Sequence, residues 1–161
     1  MDKSEIRIRD YRASDLNALI EVFRGSVRRV AQRDYTHEQI MAWAPDDIDH
    51  EARRARHSSK PTWVAEIAGV FVGFADLEPD GHLDCMYVHP DYQGHGVASV
   101  LLLQVEAAAK ARGLIRLYSE VSITAQPFFE RRGFRTIAAQ NVTFNGQEFI
   151  NYRMEKNLNL N

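Results

Sequence analysis

Val88–Leu103 reads VHPDYQGHGVASVLLL, an order of residue types that spells strand, turn, helix. An apolar run ends at Val88, a turn follows at Pro90-Asp91, two glycines flank His95, and an Ala- and Leu-rich segment opens directly after Gly96. Gly94 and Gly96 have no side chain to hold a ligand away. Gln93 to Ala98 therefore stand where the free N–H groups and the positive dipole end of a new helix point outward. Such a place binds phosphate or pyrophosphate, and glycines there also serve a plain turn, so both readings stand on these residues alone. A dinucleotide fingerprint needs glycine where Ser99 stands, and a nucleoside-triphosphate loop needs lysine after a glycine. What remains is Q-x-x-G-x-A, made by Gln93, Gly96 and Ala98.

Outward from that segment, Leu83–Val88 reads as a strand, and the helix that starts near Gly96 runs to Arg112-Gly113. Ile115–Tyr118 reads as the next strand, so this unit is a right-handed β-α-β crossover with parallel strands. Upstream, Trp63–Glu66, Val70–Leu77 and Leu83–Val88 are joined by turns at Ala68-Gly69 and Pro79-Asp80-Gly81, which makes them consecutive antiparallel strands. Ile6 and Ile8 alternate with arginines in a first strand. Ser14 offers a cap for an amphipathic helix carrying Leu16, Leu19, Ile20, Phe23, Val27 and Val30 to about Arg33, with Arg24, Arg28, Arg29 and Arg33 read as its solvated face. Thr36 and Gln39 form a capping box before Trp43, and a further helix covers Asp49 to His57. Downstream, Thr124 is placed to cap a helix from Ala125 to Arg132, Asn145-Gly146 marks a hairpin, and Asn157–Asn161 reads as a frayed tail. The expected architecture is α/β (α+β), one domain over residues 1–161, with about seven mostly antiparallel strands and about four to five helices.

Composition narrows the partners. With 161 residues, 45% of them apolar, the chain can bury one sizeable core. Twenty basic against 22 acidic residues leave a net charge of −2, which argues against nucleic acid and for a small molecule. A single cysteine, Cys85, an opening MDKSEIRIRD without an apolar core, and no run of ~20 apolar residues point to a cytoplasmic protein that does not enter a membrane.

The Q-x-x-G-x-A segment resembles the acetyl-CoA pyrophosphate loop of the GNAT superfamily of N-acetyltransferases, whose signature is Q/R-x-x-G-x-G/A. A second tract, AQPFFERRGF from Ala125 to Phe134, resembles the superfamily pattern N-x-x-A-x-x-F-Y-x-x-x-G-F, matching it at Ala125, Phe128, Gly133 and Phe134. Ser122 stands where the pattern has Asn, and Phe129 where it has Tyr. The likeness follows the element order along almost the whole chain, and the tract is most similar to a group of bacterial acetyltransferases without a settled substrate.

The resemblance implies a GNAT-like mixed, twisted sheet whose parallel pair splays apart to admit the pantetheine arm of acetyl-CoA, with no metal. It places the co-substrate against Tyr87, Val88, Gln93, Gly94, His95, Gly96, Val97, Ala98, Ser122, Phe128 and Phe129. The N–H of Val88 or a neighbour would hold the thioester oxygen. The segment between the first helix and the second strand would shape the acceptor pocket, with Tyr35 and Trp43 against the substrate. Acetyl transfer to an amine also needs a base for the ammonium and a proton for the departing thiolate.

Glu120, just beyond one splayed strand, is the first candidate base, and Asp84, on the other with His82, the second. Phe129 has no acidic proton, so the proton donor would be Tyr118, taken to end its strand facing the gap, with Tyr87 the other choice, or water. Cys85 has no cationic neighbour in sequence and is rejected as a nucleophile. His82, Asp84 and His89 are not spaced like a zinc site. The reading is an N-acetyltransferase acting on a small amine, a peptide N-terminus or a lysine, as a monomer or homodimer. The alternative is an acyl-CoA-binding module with little or no transferase activity.

Overall fold

The β-forming runs on either side of the quoted stretch assemble into two antiparallel sheets rather than one continuous ladder. The computed structural model describes residues 5–159. One sheet has the order β1-β2-β3-β4, from β1 (Ile6–Asp10), β2 (Thr62–Ile67), β3 (Val70–Asp76) and β4 (Met86–Val88); the other has the order β5-β7-β6, from β5 (Arg116–Ser122), β6 (Arg135–Phe144) and β7 (Gln147–Asn157). The helices are α1 (Leu16–Arg29), α2 (His37–Trp43), α3 (His50–Ser58), α4 (Val97–Ala111) and α5 (Gln126–Arg131). Among the described residues no helix is long and apolar enough to cross a membrane.

The expected splayed parallel pair is present. One isolated parallel bridge, His82 with Tyr118, joins the sheets. There the Leu83 N–H donates to the Tyr118 carbonyl (2.9 Å) and the Tyr118 N–H to the Gly81 carbonyl (3.1 Å). Beyond the bridge β4 pairs only with β3 and β5 only with β7. The strand expected over Leu83–Val88 is accordingly shorter, Met86–Val88. Its first half is claimed by side chains: the Asp76 carboxylate accepts the N–H groups of Asp84 (3.0 Å) and Cys85 (2.9 Å), and the Ser119 hydroxyl donates to the Leu83 carbonyl (2.6 Å).

Register fixes what the gap displays. The His89 N–H donates to the Val72 carbonyl, so Gly73 and Val88 are a non-hydrogen-bonded pair. Met86 and Val88 thus turn their N–H and C=O groups away from β3, into the gap. Tyr118 bonds across the bridge, and by the same alternation Glu120 and Ser122 turn theirs into the gap from β5.

Helices cover both faces. α4 buries Val97, Leu101, Leu102, Val105 and Ala109 against Ala75, Val88 and Leu117, whereas α1 buries Leu19, Val22, Phe23 and Val27 against Phe74 and Cys85. Each such aliphatic or aromatic side chain contributes roughly 1.5–3 kcal/mol on leaving water. Arg29 and Arg33 are exposed, as read, but this face also makes long-range contacts. Arg28 donates to the Ala44 carbonyl (2.7 Å) and pairs with Asp46, and Arg29 pairs with Asp91 (2.8 Å). These bonds pin both the turn after α2 and the turn at Pro90–Tyr92 to α1. Gly25 permits the second contact, because a Cβ there would stand 3.2 Å from the Pro90 ring.

Local signals elsewhere split. The capping box forms, with Gln39 N–H donating to Thr36 Oγ1 (3.1 Å) and Thr36 N–H to Gln39 Oε1 (2.8 Å). Ser14 does not cap α1, which is entered through a turn at Ala13–Asp15 closed by the Asp15 carboxylate on the Arg12 N–H. Thr124 does not cap α5; it bonds Asp34, while Ser122 Oγ accepts the Ala125 N–H. The tail is not frayed at its start, since Asn157 ends β7 and Leu158 is buried; Leu160 and Asn161 lie outside the described residues.

His57, 1% exposed on α3, packs edge-on against Phe74 with neither ring nitrogen bonded. Burial first, then the cations Arg53, Arg56 and Lys60, lower its pKa to about 4 from an ordinary 6.5. A depressed imidazole contributes stability above its unfolded pKa and loses it as pH falls through the folded one, so up to about 3 kcal/mol disappears between those two values. Thermal midpoints recorded from pH 7 to pH 4 should fall steeply in the native chain and less so in His57→Leu; parallel curves would contradict this assignment.

Candidate active site

α4 starts with no side chain on its free amides. Its cap residue, Gly96, is left-handed (φ 86°) and makes no side-chain capping bond, so the first-turn N–H groups at Val97, Ala98 and Ser99 face outward unpaired by a cap. Gly94, also at positive φ, has nothing within 4 Å of where a Cβ would be. Gln93 turns its amide inward instead and donates to the Val88 carbonyl (2.9 Å), which fastens the loop to the end of β4. A cavity of about 730 Å³ runs from this loop along the gap and is lined by Val88, Gln93, Gly94, Gly96, Val97, Ala98, Ser122, Phe128 and Phe129. His95 does not line it; its ring lies edge-on to Tyr92 with Nδ1 buried and unbonded. Phe129 is 4% exposed and packs against Phe128 and Phe134.

A second cavity, about 370 Å³, opens on the α1 side of the sheets. Phe23, Tyr35, Trp43, Phe144 and Phe149 give it aromatic walls, and Arg53, Arg56, Asp84 and Glu120 its charges. Trp43, Asp84, Tyr87, Glu120 and Ser122 line both cavities, which places these residues where the two meet. Tyr35 is a wall with its hydroxyl already used: it donates to the Ile150 carbonyl (2.8 Å) and accepts the Ile123 N–H (3.0 Å). Trp43 stands edge-on to Tyr35 at 5.5 Å and to Tyr87 at 6.5 Å.

Two ionic chains end at that junction. In the first, Glu120 Oε1 lies 2.7 Å from His82 Nε2, and His82 Nδ1 lies 2.5 Å from Glu78 Oε1. Burial disfavours the imidazolium, but the two carboxylates outweigh it and raise His82 above its ordinary value. In the second, Asp84 accepts from Lys60 Nζ (2.8 Å) and from Arg56 Nε (3.0 Å), with buried Asp76 3.4 Å from Lys60. Burial favours the neutral acid here too, yet the Lys60 and Arg56 bonds hold Asp84 at about 2. A carboxylate so stabilised is a poor base, so the second-choice role for Asp84 is not supported by its surroundings.

Tyr118 is also misplaced by the sequence reading. β5 continues four residues past it to Ser122, so Tyr118 sits at the closed end of the gap and lines neither cavity. Its hydroxyl donates to Asp80, a hydrogen bond that raises its pKa to about 12, and its ring stacks on His82 at 4.9 Å. Tyr87 is the tyrosine at the junction, and burial raises its pKa strongly. Cys85 is 4% exposed and burial raises its thiol likewise, which leaves it unreactive although it lines the second cavity. Glu78, His82 and Asp84 bring three possible ligand atoms within 4.8 Å, as do Asp76, Asp84 and Cys85, but Arg56 and Lys60 already neutralise Asp84. That positive neighbourhood opposes a divalent cation.

A sheet opened between β4 and β5, with an uncapped helix end at the mouth of the opening, defines the acetyltransferase class of fold. The description "Acetyltransferase (GNAT) domain" matches residues 31–156, and the chain belongs to this family of acyltransferase enzymes. It is 36% identical over 155 residues to the uncharacterized N-acetyltransferase YafP of Escherichia coli K12, covering 94% of this chain and 95% of that one. The crystal structure of a GCN5-related N-acetyltransferase from Rhodopseudomonas palustris superposes with a TM-score of 0.94 at 36% identity over 98% of both chains. At 24% identity the PaiA N-acetyltransferase of Thermoplasma acidophilum, solved with coenzyme A, shares the fold with a TM-score of 0.76 over 94% of this chain and 98% of that one.

Asp84→Asn removes the charge that Lys60 and Arg56 share. Urea denaturation should register a loss of about 1–3 kcal/mol, the cost of leaving such cations underpaired. Unchanged stability would mean that Asp84 does not hold this cluster together.

Proposed function

We propose that the protein transfers an acetyl group from acetyl-CoA directly to a primary amine, with the co-substrate in the larger cavity and the acceptor in the smaller. The observation that carries this reading is the junction of the two cavities at Tyr87 and Glu120, beside backbone donors that no strand has consumed. The pyrophosphate would meet the first-turn N–H groups of α4 at Gly96–Ser99. The pantetheine amides would pair with the gap-facing groups of Met86, Val88, Glu120 and Ser122, as a missing strand would. The Val88 N–H is the donor closest in role to an oxyanion hole, since the strand that would otherwise accept it has turned away.

Glu120 takes the proton from the acceptor ammonium. Neutral His82, with its proton on Nδ1 toward Glu78, receives it at Nε2 and releases the Nδ1 proton to Glu78, which is 37% exposed and returns it to water. The neutral amine then forms the new C–N bond as the C–S bond breaks. Tyr87 gives its proton to the thiolate, in place of the phenol that Phe129 lacks, and recovers one from the nitrogen, which sheds its second proton as the amide forms. The burial that keeps Tyr87 protonated also raises the proton affinity of a thiolate released beside it. All these residues come from one chain, so the reading needs no second copy and holds for one domain over residues 1–161.

Thiol release with acetyl-CoA and a panel of amines is the test. Turnover is expected, and Glu120→Gln should lower kcat by roughly 10²-fold or more while the acetyl-CoA KM changes little. Gly96→Val should do the reverse, raising that KM at least about tenfold, because a branched side chain is strained at positive φ and enters the phosphate path. CoA binding without turnover on any amine would favour a binding module instead, and wild-type kcat in Glu120→Gln would remove it as the base.

A further inference from the structure

The charges of the smaller cavity do not cancel. Asp84 is matched by Arg56 and Lys60, and Glu120 is hydrogen-bonded to His82. Arg53 lines the same cavity and, among the described residues, has no carboxylate partner. Its Nη1 is buried without a hydrogen-bond partner, and its guanidinium is fixed over the Phe23 ring with Cζ 4.2 Å from the centroid. A cation held against an aromatic ring, with no acid spending its donors, is pre-organised for an anion.

We infer that the acceptor amine also carries a carboxylate, which Arg53 anchors while the apolar part of the molecule lies against the aromatic walls of Phe23, Trp43 and Phe149. The inference rests on the acetyl-transfer reading of this site. A single negative charge suits it better than a phosphate dianion, because Arg56 is already engaged and the Asp84 and Glu120 carboxylates face the same space. The same arrangement disfavours polyamines, whose second cation would meet Arg53. The positive field of Arg53 also reaches the junction, where it acts on Tyr87 and Cys85. Arg53 is in this account a specificity-determining residue, and the acceptors are amino-acid-like molecules with an apolar or aromatic body.

Matched pairs test it: L-phenylalanine against 2-phenylethylamine, and 4-(aminomethyl)benzoate against benzylamine, which differ in the carboxylate and in its distance from the amine. At least one pair should favour the carboxylate roughly tenfold or more in kcat/KM, mainly through KM. Arg53→Met should erase that preference and Arg53→Lys keep part of it. Calorimetry of the four N-acetylated products on CoA-loaded protein supplies a second readout that needs no turnover, and the same preference and the same loss are expected. Acetylation of both members of each pair without preference, or a preference untouched by Arg53→Met, would overturn the inference and leave acetyl transfer standing. If no amine is acetylated, the transfer reading fails, and equal or absent binding of all four products then overturns the carboxylate anchor as well.

Discussion

The hydrogen-bond ladder between β4 and β5 stops after one bridge, and the rest of the molecule is arranged around that interruption. A parallel pair left open would normally close or recruit another chain, since its amides are unsatisfied. Here the opening is wedged by side chains that take over the pairing on either arm. Asp76 receives the amides of Asp84 and Cys85, Ser119 occupies the Leu83 carbonyl, and Gln93 occupies the Val88 carbonyl. What is left without a partner among the described residues is a short row: the N–H groups of Met86, Val88, Glu120 and Ser122 and the carbonyls of Met86 and Glu120. The gap is therefore specified by sequence at its hinge and at its rim, and α4 and α1 hold its arms from opposite faces.

The same wedge determines the electrostatics. Asp76 is buried to close the hinge, and Lys60 is drawn to it, which in turn fixes Asp84 and Arg56. That chain is a structural brace, and its consequence is that one of the two carboxylates at the cavity junction stays ionised with little basicity. The other, Glu120, is tied to His82 and Glu78 and so has a path for a proton to water. The two carboxylates at the cavity junction thus have different partners. α3 supplies the rest of the charge, and its arginines diverge in the same way, with Arg56 absorbed by the brace and Arg53 left without a carboxylate partner among the described residues.

Much of this was legible in the chain because local rules decided it. The strand-turn-helix at Val88–Leu103, the capping box at Thr36, the hairpin at Asn145-Gly146 and the crossover between the splayed strands are all set by residues close in sequence. Glu120 was found because it lies just beyond the strand expected over Ile115–Tyr118, at the side of the gap. The misreadings come from contacts distant in sequence. Nothing near Asp84 announces Lys60 and Arg56, some 24 and 28 residues away. Tyr118 was taken for the end of its strand because the partner that extends β5 to Ser122 is β7, the last strand of the chain. Arg53 was passed over in a basic helix whose apolar spacing is weak; its signal is the absence of an acid within reach, which only the packed structure reveals.

The central claim is that acetyl-CoA completes the interrupted ladder. Residue-resolved amide hydrogen exchange, measured on the free protein and on the protein saturated with CoA, tests it most directly. Exchange is expected to slow markedly at Val88 and Glu120 in the gap and at Val97 and Ala98 at the start of α4, with little change along β6. Unaltered exchange at Val88 and Glu120 under saturating CoA would contradict the account.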